Sequence, residues 1–189
     1  MEFFTSDLHL GHKSILAYRP MFESLAEMNE ALIANWNRKV HKNDTVYILG
    51  DLSYRSEVPV ECYLERLKGK KFLILGNHDA DWLKPSRYEA LSQYFCDIKE
   101  MHSFKRDKMQ FTLCHYPMLE WNGSRYGNQS VSYLIHGHIH NKRNEIFDYI
   151  KAHQPGALNC GVDVNNYEPV TFEELVANNA AWYDRTSAE

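Results

Sequence analysis

Short runs of consecutive apolar residues recur along the chain, and most of them end in a glycine or a polar turn. A run without polar interruptions is typical of a strand that is buried on both faces of a sheet. The pattern therefore predicts strands at Glu2–Thr5, Thr45–Leu49, Lys71–Leu75, Met109–Cys114 and Val131–Ile135.

Helical periodicity appears between these runs. Ser24 and Glu27 have the spacing of a capping box, and the apolar residues that follow recur every three or four positions as far as Trp36. A second capping box at Thr171 and Glu174 predicts a C-terminal helix that ends near Ala181. Further helices are expected over residues 60–67, 81–94 and 145–153.

The order of these elements indicates an α/β protein. A strand over 45–49, a helix over 60–67 and a strand over 71–75 form a βαβ unit, in which the strands are parallel. Residues 97–104 and 109–114 are predicted to form a hairpin, and residues 157–160 and 161–164 a last strand or pair of strands.

Composition limits the classes of protein that fit. The 189 residues suit one domain over residues 1–189, and the balance of 21 basic against 25 acidic residues gives a charge of −4 with no strong nucleic-acid signal. Four widely spaced cysteines predict reduced thiols in a cytoplasmic protein, and no signal peptide or membrane-spanning run is expected. Monomer and homodimer remain equally open.

Metal-binding side chains follow the predicted strands. The carboxyl ends of strands in an α/β sheet meet at one edge, so these side chains are expected to lie together. Imidazole nitrogens suit transition metals, and Gly137 should let the backbone bend and approach whatever His138 and His140 hold. The full set comprises Asp7, His9, Asp51, Asn77, His78, His115, His138 and His140.

Three kinds of site could use such a set. A single zinc ion needs about four ligands, which is fewer than the set provides. A hydrolytic dyad needs Ser or Cys beside His, and the candidates Ser6 and Cys114 do not lie in a nucleophile-elbow pattern. A two-metal site with a bridging carboxylate fits the number best, and Asp51 is the natural bridge.

In their order along the chain, these motifs resemble the calcineurin-like metallophosphoesterase superfamily. Three further stretches, at residues 5–12, 35–37 and 161–163, are similar to a small bacterial and phage branch of phosphoesterases. The motifs that carry the resemblance are Asp7-x-His9, Gly50-Asp51, Gly76-Asn77-His78-Asp79, His115 and Gly137-His138-x-His140.

The resemblance implies a four-layer α/β/β/α sandwich of two mixed sheets flanked by helices. It also implies two divalent metal ions, Mn²⁺, Fe²⁺, Zn²⁺ or Ni²⁺, of which Mn²⁺ is favoured. His78 would be the residue that protonates the leaving oxygen or stabilises the transition state. The ligands implied are Asp7, His9, Asp51 and His140 for the first ion, and Asp51, Asn77, His115 and His138 for the second.

One position departs from the family pattern. Many members carry a second aspartate three residues after the bridging one, where it orients the catalytic histidine, but this chain has Tyr54 followed by Arg55. The partner of His78 is therefore open, and Arg55 is a candidate for contact with substrate phosphate. Further substrate or supporting candidates are His12, Trp121 and Arg125.

The function implied is hydrolysis of a phosphate monoester or diester, on a small substrate such as a nucleotide, by a hydroxide held between two metals. A metal-dependent nuclease is an alternative, although the chain lacks a basic stripe. A non-catalytic scaffold of the same fold is another, but loss of the catalytic histidine marks that route, and His78 is present.

Overall fold

The computed structural model describes residues 1–124 and 131–184, and it contains two four-stranded sheets. In the first sheet every neighbouring pair is parallel, and in the second only the first pair is antiparallel. The first sheet consists, in spatial order, of β1 (Glu2–Thr5), β2 (Thr45–Leu49), β3 (Lys70–Ile74) and β4 (Asp97–Lys99). The second consists of β5 (Met101–Arg106), β6 (Met109–Cys114), β7 (Ser132–His136) and β8 (Ala157–Asn159).

Five α-helices lie in the described part of the chain, together with short 3₁₀ turns. The 3₁₀ turns cover Lys13–Tyr18, Asp79–Asp81 and Pro85–Arg87. The α-helices are α1 (Leu25–Lys39), α2 (Val60–Leu64), α3 (Tyr88–Ser92), α4 (Glu145–His153) and α5 (Phe172–Asp184). None of these helices combines the length and the apolar character that crossing a bilayer requires.

Alternation along the strands divides the core into layers. Phe3 packs toward α1 and α2, whereas its neighbour Phe4 packs toward the second sheet, because successive side chains of a strand point to opposite faces. In β2, Val46 likewise packs toward the helices and Tyr47 toward the second sheet. The first sheet is therefore buried on both faces, as its apolar runs predicted.

The second sheet is covered on its outer face by α4 and α5. Leu134 and Ala157 of this sheet pack against Phe147 of α4 and Trp182 of α5, and all four side chains are buried. The layers therefore run helix, sheet, sheet, helix, which confirms the α/β class and the predicted sandwich. The first sheet differs in detail from the expected mixed sheet, since all its strand pairs are parallel.

The capping box predicted at α5 forms in full, whereas the one at α1 forms in part, because the Glu27 carboxylate accepts the N–H of Glu23 instead of that of Ser24. The Ser24 hydroxyl accepts the N–H of Glu27 at 3.1 Å and begins α1. At α5 the bonds are reciprocal, with the N–H of Glu174 bonded to the Thr171 hydroxyl and the N–H of Thr171 bonded to the Glu174 carboxylate.

Some predicted boundaries were wrong. The strand expected over 97–104 is divided between the two sheets, since β4 pairs with β3 and β5 pairs with β6. The helices expected over 60–67 and 81–94 shorten to α2 and α3, and turns fill the remainder. Residues 161–164 form turns and only one isolated bridge, between Ser6 and Gly161, because they connect the ends of the two sheets.

Candidate metal centre

The loops that follow the strands bond to one another at the carboxyl edge of the sheets. The N–H of Asp7 donates to the Gly50 carbonyl at 3.0 Å, and the N–H of His9 donates to the Asp51 carbonyl at 2.9 Å. The N–H of His138 donates to the Asp7 carboxylate at 3.0 Å, which joins the end of the second sheet to the end of the first. The candidate ligands of both sheets therefore meet in one cluster.

Many candidate ligands have a left-handed backbone. Such a conformation costs about 1–3 kcal/mol for a residue other than glycine and persists only where the surroundings enforce it. The φ angles are 58° at Asp7, 52° at His9, 54° at Asp51, 70° at His138 and 52° at His140. Strain of this kind is concentrated at functional sites.

Two glycines allow the loops to approach these side chains. A Cβ atom on Gly76 would lie 2.4 Å from Oδ1 of Asp51, and one on Gly137 would lie 1.9 Å from the Ser6 hydroxyl and 2.5 Å from Oδ2 of Asp7. The φ angle of Gly137 is not positive, so glycine is needed there for space rather than for a special conformation.

Asp7, His9 and His140 form the first group of potential ligands. Their nearest ligand atoms all lie within 4.8 Å of one another. Burial lowers the pKa of His9 to about 2, with His140 and Arg19 adding to the effect, so its ring is neutral. Nε2 of His9 is buried with no hydrogen-bond partner, which leaves this nitrogen available to a cation.

Asp51 lies between this group and a second one. Its Oδ2 is 3.7 Å from Nε2 of His9 and 3.6 Å from Nε2 of His115. Its Oδ1 accepts the backbone N–H of His78 at 2.9 Å, which fixes the carboxylate in place. The ligand atoms of Asp7, Asp51 and His115 also lie within 4.8 Å of one another, so Asp7 faces both groups as well.

The second group contains two acceptors that face each other. Nδ1 of His115 lies 2.7 Å from the Leu49 carbonyl, and since a carbonyl only accepts, this nitrogen carries the proton in the neutral ring. Nε2 then presents a lone pair to Oδ1 of Asn77 at 3.0 Å, and Nδ1 of His138 lies 3.0 Å from the same oxygen. A cation bound between Nε2 of His115 and Oδ1 of Asn77 would attract both lone pairs and so offset the repulsion between these two acceptors.

A buried ion pair supports His140. Nδ1 of His140 is bonded to the Asp163 carboxylate at 2.8 Å, and this carboxylate also accepts from Nε of Arg19 at 2.8 Å. Burial would raise the pKa of Asp163, but the hydrogen bonds from His140 and Arg19 outweigh it and lower that pKa well below its usual range. A carboxylate behind a histidine ligand orients its ring and increases its basicity.

Arg19 also contacts the loop that carries the candidate ligands Asp7 and His9. It is fully buried and donates to the backbone carbonyls of Asp7 at 2.6 Å and Leu8 at 2.9 Å. Neither Arg19 nor Asp163 was assigned a role from the sequence. Asp163 lies in the stretch 161–163 that resembles the phage and bacterial branch, but a lone arginine after a 3₁₀ turn gives no comparable signal.

Asp79 holds the loops after β2 and β3 together. Its carboxylate accepts the backbone N–H groups of Asp51, Leu52 and Gly76 at 2.8–3.1 Å, together with the indole N–H of Trp82. Burial raises the pKa of Asp79 to about 6. Asp79 belongs to a motif recognised in the sequence, yet only the structure reveals that it positions the Asp51 loop.

The cluster opens to solvent on one side. Asp7 and His115 are fully buried, whereas the His78 side chain is 30% exposed and both Asn77 and His138 are exposed. A cavity of about 160 Å³ adjoins the cluster on this side. Its lining includes His9, His12, His78, His140, Asp163, Tyr18 and Lys142.

The remaining candidates lie at different distances from this cluster. Nδ1 of His12 is 3.2 Å from Nδ1 of His9, so His12 is in direct contact with a candidate ligand. Arg55 is exposed, with its guanidinium 5.0 Å from the Tyr54 ring centroid. Trp121 packs with the core of the second sheet and donates its indole N–H to Ser132. Arg125 lies outside the described residues.

The donor set fits divalent cations. Two buried carboxylates face each other across the cluster, and burial raises the pKa of Asp7, so a positive charge there would stabilise the ionised form. The combination of carboxylate oxygens, an amide oxygen and imidazole nitrogens suits Mn²⁺, Fe²⁺, Zn²⁺ or Ni²⁺.

Comparisons with known proteins agree with this geometry. The calcineurin-like phosphoesterase family, whose members hydrolyse phosphoesters with divalent metals, matches residues 3–142. The uncharacterized protein MJ1445 of Methanocaldococcus jannaschii is 34% identical over 175 residues, 90% of this chain and 86% of that protein. The Gene 66 protein of Mycobacterium phage D29 is 39% identical over 160 residues, 74% of this chain and 78% of that protein.

A solved structure supports the fold. The protein AQ665 of Aquifex aeolicus, described as being of unknown function, superposes with a TM-score of 0.69 at 28% identity. The match covers 92% of this chain and 96% of that one. The order of the ligand motifs, their meeting at one sheet edge and these matches lead to one conclusion. The chain belongs to the calcineurin-like phosphoesterase family.

Proposed function

We propose that the protein hydrolyses phosphate monoesters or diesters at a centre of two divalent metal ions. The observation that carries the proposal is the position of a single oxygen, Oδ2 of Asp51. This oxygen lies 3.6 Å from Nε2 of His115, 3.7 Å from that of His9 and 3.9 Å from that of His78. One carboxylate thus faces a histidine of each ligand group and the candidate proton donor.

The residues divide between two ions as the family resemblance implies. When bound, the ions would lower the pKa of a shared water and neutralise the phosphoryl oxygens, and Mn²⁺ is the ion we favour. The first ion would be held by Asp7, His9, Asp51 and His140, and the second by Asp51, Asn77, His115 and His138.

His78 is the proposed general acid. It is not needed as a ligand in either set, and it lies partly exposed where the cluster meets the solvent-facing cavity. Proton transfer to the departing oxygen would contribute ~10²–10⁴-fold to the rate. Ser6 is not placed to act as a nucleophile, because its hydroxyl is fully buried and lies 2.7 Å from both the Asp7 carboxylate and the Leu49 carbonyl.

The cavity beside His78 is the proposed site of the leaving group. Its wall contains Lys142, whose ammonium lies 5.5 Å from the ring centroid of Tyr18. Lys142 offers a positive charge to a phosphate or a second anionic group, and the exposed ring of Tyr18 offers a face for stacking. The volume of about 160 Å³ is below the roughly 300–1,000 Å³ of most ligand pockets, so the cavity would hold only the leaving group of a small ester.

The activity is tested by removing all metals and reloading the protein separately with Mn²⁺, Ni²⁺, Fe²⁺ and Zn²⁺. Each form is assayed against p-nitrophenyl phosphate, bis-p-nitrophenyl phosphate and nucleoside phosphates, beside a His153→Ala control, since His153 is exposed on α4. We expect metal-dependent turnover that the control retains. Absence of turnover with every metal and ester would overturn the proposal.

A further inference from the structure

The imidazole of His78 lacks the hydrogen bond that usually fixes a catalytic histidine. In the described part of the chain its hydrogen bonds are made by the backbone alone: the N–H donates to Oδ1 of Asp51 at 2.9 Å, and the carbonyl accepts the N–H of Asp81 at 3.1 Å. Its Nε2 is 3.9 Å from Oδ2 of Asp51, which is beyond hydrogen-bond distance. The contacts of the imidazole in this part of the chain are instead with other rings, those of Tyr54, His9 and His12.

Aromatic packing supplies such a contact. The ring of Tyr54 lies against that of His78, with centroids 3.9 Å apart and planes inclined by 39°. The imidazole of His12 also contacts the Tyr54 ring, in an edge-to-face arrangement with centroids 5.0 Å apart and planes at 90°. Tyr54 is therefore the aromatic residue in closest contact with the imidazole.

The backbone around Tyr54 is fixed on both sides. The preceding residue, Ser53, forms a bridge with Leu10, and its hydroxyl donates to the Leu10 carbonyl at 2.7 Å. The following residue, Arg55, donates its N–H to the Asp81 carboxylate at 3.0 Å. These bonds tie the Tyr54 segment to the loops after β1 and β3, so the ring is presented to His78 from a rigid base.

We propose that Tyr54 is a positioning residue for His78, an inference that rests on the proposed function. The face of the tyrosine ring confines the imidazole so that Nε2 stays directed toward Asp51 and the metal centre. The phenol hydroxyl has no hydrogen-bond partner among residues 1–124 and 131–184, so the ring rather than the hydroxyl has this role. Aromatic contact here replaces a carboxylate hydrogen bond.

The kinetic test compares Tyr54→Phe with Tyr54→Leu in the metal-loaded protein. We expect Phe to preserve turnover, because it keeps the ring, and Leu to lower kcat by about 10–100-fold with KM and metal content unchanged, because small misplacements of a catalytic group are costly. Tyr149→Leu is the matched control, since Tyr149 is exposed on α4. A Leu variant with unchanged kcat, or a Phe variant as slow as Leu, contradicts the proposal.

A double-mutant cycle tests whether Tyr54 acts through His78. If it does, Tyr54→Leu lowers kcat in the wild-type background and has no further effect when His78 is already alanine. Additive losses would indicate that Tyr54 has a separate role, and would overturn the inference.

A measurement independent of activity separates this inference from the proposed function. In the Zn²⁺-loaded protein, the ring-proton NMR signals of His78 are assigned by their loss in His78→Ala. The Tyr54 ring should displace them, so we expect Tyr54→Phe to leave them in place and Tyr54→Leu to move them. Unmoved signals in the Leu variant would contradict the contact, even if the protein hydrolyses no ester.

Discussion

The two carboxylate oxygens of Asp51 face different partners, so each oxygen has a distinct position in the candidate metal centre. Oδ1 accepts the N–H of His78, while Oδ2 faces the imidazoles of His9 and His115. Asp51 also has a left-handed backbone, with φ of 54°. Hydrogen bonds from the surrounding loops therefore help to hold the candidate ligands in place.

Replacement of His78 tests the division between ligands and proton donor. We expect His78→Ala to retain both metal ions and to lose about 10²–10⁴-fold in kcat, because only proton transfer is removed. Elemental analysis and steady-state kinetics on the same sample provide the measurement. Loss of an ion from this variant would instead make His78 a ligand.

Replacement of Asp163 tests the support of the first ion. We expect Asp163→Asn to weaken binding of Mn²⁺ by about 10–100-fold, because the His140 ring loses its charged partner. The buried Arg19 also loses its counter-charge, so the free energy of unfolding should fall by about 3–5 kcal/mol. Calorimetric titration and urea unfolding measure the two effects.

Asp148→Asn is the matched control for this change, since Asp148 is exposed on α4. It should leave both the metal affinity and the unfolding free energy as in the wild type. An Asp163→Asn variant that binds Mn²⁺ as tightly as this control would show that Asp163 does not support metal binding through His140.

Among the elements, strands were predicted best because their signal is local. A strand between two apolar layers must be apolar at successive positions, so β1, β2, β3, β6 and β7 could be recognised from residues alone. The change of sheet at Glu100 could not, because β4 and β5 differ only in which distant strand they pair with. Pairing of this kind is a property of the whole fold.

The same distinction applies to the candidate centre. The candidate ligands follow strands in recognisable motifs, so the sequence could predict that they lie together. Arg19 and Tyr54 could not be assigned roles in advance, because their contacts with Asp163 and His78 join segments that only the folded chain brings together. Local motifs therefore predict which groups meet at the sheet edge, whereas tertiary contacts determine how those groups are held.

The close packing of the turn after β7 can be tested by adding a methyl group at Gly137. We expect Gly137→Ala to lower the free energy of unfolding by about 1–3 kcal/mol and to weaken metal binding, because the new methyl group would overlap the Ser6 hydroxyl and the Asp7 carboxylate. Urea unfolding and Mn²⁺ titration provide the measurements. Wild-type values in both would show that the loops can separate without consequence for the centre.

The cap of α5 provides a contrasting test of stability alone. We expect Thr171→Ala to cost about 1 kcal/mol, because the N–H of Glu174 loses its partner. Metal affinity and kcat should remain at wild-type values, since α5 contributes none of the proposed ligands. Thermal unfolding with parallel assays checks this expectation, and a change in metal affinity would contradict it.

At the scale of the whole molecule, the centre lies where two sheets meet. Asp7 follows β1 and His138 follows β7. The hydrogen bond from the His138 N–H to the Asp7 carboxylate brings the carboxyl edges of the two sheets together at the candidate centre. The formal charge of the chain is −4, so attraction for a phosphate must come from local positive charge. Two bound cations, with Lys142 beside them, would provide it.

Asp51 is proposed to be shared by two metal ions, and the metal content of wild-type and Asp51→Asn protein tests this sharing. Both are loaded with Mn²⁺, passed through a desalting column and analysed for metal and protein together. We predict two ions per chain in the wild type and loss of both in Asp51→Asn. A wild type that retains no ion, or an Asp51→Asn variant that retains both, would show that Asp51 does not join two metal ions.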